Sequence, residues 1–166
     1  GVQTCALPIS VMMSFIYQIR ELQNGGEFVV LLFLAAWGND TLAYCTGMLI
    51  GKHKMSPILS PKKSIEGLVG GIVGAAILGA LYGLYLNTYI RFSFNPVTMF
   101  PIVCGLSGAV SVIGDLAASA IKRDSGIKDY GTLIPGHGGI LDRFDSIIFI
   151  APVIYYLTVM ISGGAI

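Results

Sequence analysis

The sequence predicts an all-α, polytopic transmembrane helical bundle, with about four complete spans plus the tail of an earlier one and a functional cytoplasmic loop at 121–145. Three observations carry that prediction. Hydrophobic residues make up 54% of the 166-residue chain, charged residues only 11%, and the mean hydropathy is +0.77. Soluble domains carry about 25% charged residues. Four apolar stretches, near 27–50, 65–88, 97–120 and 146–165, approach or exceed the ~20 residues an α-helix needs to cross a bilayer. Backbone polar groups in lipid must be satisfied internally, so runs of this length are helices.

The same composition excludes other classes. Lys+Arg 10 against Asp+Glu 9 leave a net charge of +1, too little for a nucleic-acid footprint, and no nucleic-acid partner is expected. Three cysteines without paired spacing exclude a disulfide scaffold and a cysteine zinc site. The partner this composition requires is a lipid bilayer.

Taken in order, Gly1-Val2-Gln3-Thr4-Cys5-Ala6-Leu7-Pro8-Ile9 resembles a translated sequencing adapter, so residues 1–9 are read as non-native and set outside the fold argument. Residues 10–19 read as the end of a span whose beginning is missing, and an N-terminal truncation is expected. The span near 27–50 carries Asn39, Asp40 and Tyr44. Asp40 stands 11 residues before Gly51, which puts it about 16 Å inside the membrane end at 1.5 Å per residue. The connection after it is basic, with Lys52, Lys54, Lys62 and Lys63; Lys52 and Lys54 read as anchors at the membrane interface.

Glu66 falls in the first turn of the next span. There Gly67 and Gly71, and Gly70 and Gly74, recur at the small-residue spacing that lets membrane helices approach closely. On the span near 97–120, Ser107, Ser111, Asp115 and Ser119 recur every four residues and share one face. Asp115 lies seven residues before Lys122, about 10 Å inside. An intramembrane carboxylate costs at least ~2.5 kcal/mol on insertion scales, so acids at a common depth mark a site. A polar stripe continuing into Lys122 predicts a wet, anion-accepting cavity.

Eight of the ten cations fall in 52–63 and 122–143, while Arg20 and Arg91 fall in the two alternate connections. The positive-inside rule therefore places both basic connections in the cytoplasm. The second of these, within residues 119–145, reads SAIKRDSGIKDYGTLIPGHGGILDRFD. Lys122, Arg123, Lys128 and Arg143 suit polyphosphate oxygens. Glycines around His137 let the backbone approach a ligand, and Asp142 and Asp145 supply the hard oxygens Mg²⁺ takes.

The order Ser119, Lys122-Arg123, Lys128-Asp129, Gly131, Pro135-Gly136-His137-Gly138-Gly139, Asp142-Arg143 and Asp145 resembles the signature of the phosphatidate cytidylyltransferases, or CDP-diacylglycerol synthases. Asn39-Asp40-Thr41, Ala43-Tyr44, Gly47, Gly51-Lys52 and Ser60-Pro61-Lys62-Lys63-Ser64 with Glu66-Gly67 and Gly70-Gly71 resemble that family's preceding segment. Ser64 stands where threonine is common. The resemblance covers roughly residues 10–166, which reads as the C-terminal catalytic membrane domain; family members carry further spans before it.

The resemblance implies CTP and phosphatidic acid as substrates of a nucleotidyl transfer in phospholipid biosynthesis. It implies a multi-pass protein of a bacterial-type inner membrane with its site facing the cytoplasm. It also implies Mg²⁺ held by Asp115 and Asp142, and it leaves room for a second cation and for a homodimer. Lys122, Arg123, Lys128, Asp129 and Arg143 join the two aspartates as catalytic groups. Asn39, Asp40, Lys62, Lys63, Ser64, Glu66, Ser119, His137, Gly138, Gly139 and Asp145 are the expected substrate-binding groups. Two other classes compete: a CTP-dependent polyprenol kinase and a secondary transporter. A transporter needs no such dense loop, and no inverted repeat is visible in the chain.

Overall fold

Helices dominate the computed structural model, which describes residues 2–56, 60–124, 126 and 141–162. In chain order they are α1 (Val2–Glu21), α2 (Gly25–Phe33), a π-helical stretch (Leu34–Gly38), α3 (Asn39–Ile50), α4 (Ile65–Tyr89), α5 (Pro96–Asp124) and α6 (Leu141–Ile161). Between α3 and α4 lies an antiparallel hairpin of β1 (Lys54–Ser56) and β2 (Ser60–Ser64). Among the described residues four stretches are long and apolar enough to cross a membrane: Gly25–Ile50, Ile65–Tyr89, Pro96–Asp124 and Phe144–Ile161. Each overlaps a predicted span, and the all-α polytopic class stands. Residues 10–19 lie within α1, which packs on α6 through Phe15 against Tyr155 and Tyr156.

Local signals account for the helix starts. The Ser64 hydroxyl accepts a bond from the Gly67 amide at 3.1 Å and caps α4. Asn95 does the same for α5, accepting from the Val97 amide at 3.0 Å, with Pro96 at the first helical position, where its missing N–H is no loss. At the other end of α5 the helix outruns its predicted limit near residue 120. Lys122 and Arg123 are therefore helical rather than loop residues, while Ser119 lies on the helix as its spacing predicts. Gly126, just beyond, adopts φ 69°, the left-handed conformation that glycine tolerates at a helix end, and its amide bonds the Arg123 carbonyl at 3.1 Å.

Small residues set the packing of α4. Gly67, Gly71, Ala75, Gly79 and Gly83 recur every four residues and are all buried. A Cβ on Gly71 would lie 2.8 Å from Asn39 Oδ1, and one on Gly79 would lie 2.7 Å from the Phe100 carbonyl oxygen. The stripe thus seats α3 against one half of α4 and α5 against the other. Gly70 and Gly74 meet the side chains of Thr46 and Leu42, so both predicted glycine pairs serve helix approach. Replacing Gly79 by valine is expected to lower the midpoint of thermal unfolding in detergent, at an overpacking cost of roughly 1–3 kcal/mol. Gly26→Ala is the control, since nothing lies within 4 Å of a Cβ there.

The two ends of the bundle differ in chemistry. At one end Phe28, Phe92, Phe94, Phe100 and Tyr82 form an aromatic cluster, and the Tyr82 hydroxyl donates to the Glu27 carboxylate. Gln23, Asn24, Arg91 and Ser162 border one small cavity of about 110 Å³ at this end. Lys54, Lys63 and Lys122 belong to the opposite end, where the larger of these two cavities lies.

Candidate active site

A cavity of about 520 Å³ opens between α3, the hairpin, α4 and α5. Helix α3 contributes Asp40, Ala43, Tyr44, Gly47 and Met48. That i, i+3, i+4 recurrence puts them on one helix face. The hairpin contributes Lys54, Met55, Lys63 and Ser64; α4 adds Gly67 and Leu68, and α5 adds Val112 and Asp115. The walls are mostly apolar, and the charges are two acids from the helices and two lysines from the hairpin.

These charges are tied across elements far apart in sequence. Lys63 Nζ donates to Asp115 Oδ2 at 2.6 Å, with the two side chains 30% and 17% exposed. The Ser146 hydroxyl donates to Asp40 Oδ2 at 3.2 Å, bringing α6 to α3. Asp40 lies within electrostatic reach of Asp115, Lys63 and Asp145. Lys122 Nζ stands 3.7 Å from Asp145 Oδ2 and joins the end of α5 to α6. The hairpin, α3, α5 and α6 thus meet around one group of carboxylates and ammoniums.

Several expected contacts are placed differently. Asn39 has no accessible surface and sits between α4 and α5, behind the residues that line the cavity. Ser107 and Ser111 are likewise fully buried, so the polar face of α5 reaches the cavity only at Asp115. The packing of α5 against its neighbours covers the inner turns of that face. Glu66 does not line the cavity; its carboxylate is bonded by His53. Lys54, expected as an interface anchor, lines the cavity because the hairpin pairs it with Ser64. Ser64 lines the cavity and caps α4 at once. Ser119 is half-buried on α5 and Arg123 is exposed at its end.

Lys128, Asp129, His137, Gly138 and Gly139 lie outside the described residues, as do the side chains of Lys62, Asp142 and Arg143. Among the described residues no three His, Cys, Asp or Glu side chains form a metal site. Mg²⁺ takes one or two carboxylates and fills its remaining positions with water and phosphate oxygens. Asp115 supplies a hard oxygen donor of that kind, and its bond to Lys63 engages only Oδ2.

The sequence alone did not point to Ser146, His53, Met48 or Met55. Ser146 is one position from a singled-out residue, yet nothing in its spacing ties it to Asp40, 106 positions away. The two methionines read as ordinary apolar residues near a span end.

Comparison with known proteins gives one consistent result. The model of the cytidylyltransferase family matches residues 2–161. The chain is 37% identical over 158 residues to the phosphatidate cytidylyltransferase of Staphylococcus saprophyticus, covering 95% of this chain and 59% of that protein. It is 35% identical over 156 residues to the phosphatidate cytidylyltransferase of Staphylococcus haemolyticus, at 93% and 58% coverage. For that of Staphylococcus aureus strain COL the identity is 38% over 151 residues, at 91% and 55%. The chain therefore spans somewhat over half the length of the curated relatives it matches.

Proposed function

The chain belongs to the cytidylyltransferase family, and from that premise we propose that it transfers the cytidylyl group of CTP to phosphatidic acid at the cytoplasmic membrane face, giving CDP-diacylglycerol and pyrophosphate. The observation that carries this reading is one cavity whose mostly apolar lining also holds Asp40, Asp115, Lys54 and Lys63. Met48, Met55, Leu68 and Val112 suit acyl chains, while Lys54 and Lys63 suit phosphate oxygens. A substrate pair of one amphiphilic lipid and one polyphosphate needs both surfaces side by side.

In the transfer, a phosphate oxygen of phosphatidic acid forms a bond to the α-phosphorus of CTP. The bond to the departing pyrophosphate breaks, and its electron pair leaves with that group. A phosphate monoester is largely dianionic near neutral pH, with a second pKa of about 6, so no general base is required. Catalysis then rests on positioning and on neutralising charge. Lys63 and Lys54 draw the phosphates of two mutually repelling substrates into the cavity. Lys63 also holds Asp115, Ser146 holds Asp40, and Lys122 with Asp145 braces α5 against α6. Arg123 at the end of α5, with Lys128 and Arg143, completes the phosphate contacts in this reading. Asp115 and Asp142 would hold Mg²⁺, whose charge, when bound, neutralises phosphate oxygens.

The test is product formation by membranes carrying the chain, with CTP labelled at the α- or the γ-phosphorus and phosphatidic acid or a polyprenol as acceptor. Label from the α-position alone, recovered in lipid only with phosphatidic acid, is the expected result. Label from the γ-position recovered in polyprenol would replace this reading with a lipid kinase. A chain that consumes no CTP, alone or restored to the length of its relatives, would remove nucleotide chemistry altogether. Orientation is checked separately. Single cysteines introduced at 52–63 and 124–136 are expected to react with an impermeant reagent from the cytoplasmic side, and one near Arg91 only from the other. Labelling of both basic segments from outside would overturn the proposed route for CTP.

A further inference from the structure

The hairpin that supplies both cavity lysines is held by contacts the transfer reaction does not use. Its first residue pair sets Lys54 opposite Ser64, and Lys63 precedes Ser64 on the second strand. A two-stranded hairpin is at best marginally stable in water on its own, so the aim of these lysines depends on what fastens the hairpin to the bundle. The fastening is concentrated at His53. Its ring Nδ1 lies 2.6 Å from Glu66 Oε1, and its backbone amide donates to both Glu66 oxygens at 3.3 and 3.2 Å. Its carbonyl accepts from the Ile65 amide at 3.0 Å. One residue next to Lys54 is thus bonded at three points to the first turn of α4. The His53 side chain is 76% exposed and is not among the residues that line the cavity.

We propose that His53 and Glu66 form a latch that fixes the hairpin to the start of α4 and thereby positions Lys54 and Lys63 toward the anionic substrates. The latch is a positioning device, and its catalytic consequence rests on the functional reading above. It also accounts for a carboxylate at the start of α4 that does not line the cavity. Glu66 gives the His53 amide and imidazole one shared acceptor at the point where the chain passes from hairpin to helix.

Two readouts on the full chain test this, one of them independent of activity. Hydrogen exchange of the 52–56 amides is expected to quicken several-fold in Glu66→Ala, while exchange in the middle of α4 stays unchanged. Glu66→Gln, which keeps an acceptor oxygen, should restore most of the protection. In turnover assays Glu66→Ala and His53→Ala are expected to raise the KM for CTP several-fold with a much smaller change in kcat, and the double variant should be no worse than either single one. Unchanged exchange at 52–56 in Glu66→Ala would overturn the latch. Faster exchange with an unchanged KM would overturn its role in positioning the lysines. Faster exchange in a chain that shows no CTP turnover in any form would uphold the latch and refute the functional reading on its own.

Discussion

Replacing Asp115 by asparagine is expected to cut cytidylyl transfer by about 10²- to 10³-fold, the scale of removing one preorganised electrostatic group from an active site. The substitution keeps the side-chain shape and one carbonyl oxygen, so Lys63 retains an acceptor at the position of its present 2.6 Å bond. What disappears is the negative charge that balances Lys63 and that would face a divalent cation. The unfolding temperature should change little, because the cavity is open at this residue and Asp115 is not fully buried. Asp142→Asn is expected to give a loss of the same order, and Mg²⁺ dependence should weaken in both variants. Product formation measured against Mg²⁺ concentration, beside a thermal unfolding trace, checks both statements. Near-normal turnover with unaltered Mg²⁺ dependence in either variant would remove that aspartate from the site.

The second large effect is expected at Lys63. Methionine keeps most of the length and the apolar character of the stem while removing its charge. Asp115 would then lose its partner while Asp40 remains within electrostatic reach. The phosphates would also lose a cation that is only 30% exposed. Truncating one member of a largely desolvated charge pair costs about 2–5 kcal/mol, so catalytic efficiency should fall roughly 30- to 5,000-fold. The deficit should persist at raised salt, because such a pair is screened much less than a surface charge. Lys52→Ala supplies the contrast. Lys52 is exposed and outside the cavity lining, and its effect should be small and fade with ionic strength. Equal, salt-sensitive losses at both positions would mean that the basic end acts only as a diffuse attractive field.

Both expectations centre on residues that were visible in the sequence, but for different reasons. Asp115 stood out because a carboxylate inside an apolar run is costly and needs an explanation. Lys63 was one of four lysines in a short basic connection; the family resemblance set it and Lys62 apart as substrate contacts, but spacing alone did not separate it from Lys52 or Lys54. The hairpin made the distinction: it turns Lys54 and Lys63 over the cavity and leaves Lys52 outside. Asn39 shows the reverse case. It adjoins Asp40 and shares its depth, yet successive helix positions are rotated about 100° apart, so one faces the cavity and the other packs between Gly71 and Gly108. Glu66 likewise matched the depth of the other acids and proved to be engaged by His53 at the hairpin's foot.

By itself the sequence determined the number and placement of the membrane-length helices, because hydrophobic run length is a local property that the bilayer reads directly. It also determined the close approach of α4 to its neighbours, since a glycine or alanine every fourth residue acts through its small or missing side chain. Only the tertiary structure decided which of the acids and lysines share a cavity. The bonds that do so join residues 52 and 106 positions apart, Lys63 to Asp115 and Asp40 to Ser146. Whether such groups meet depends on how helices rotate and cross when their faces pack, and no spacing within a single segment carries that information.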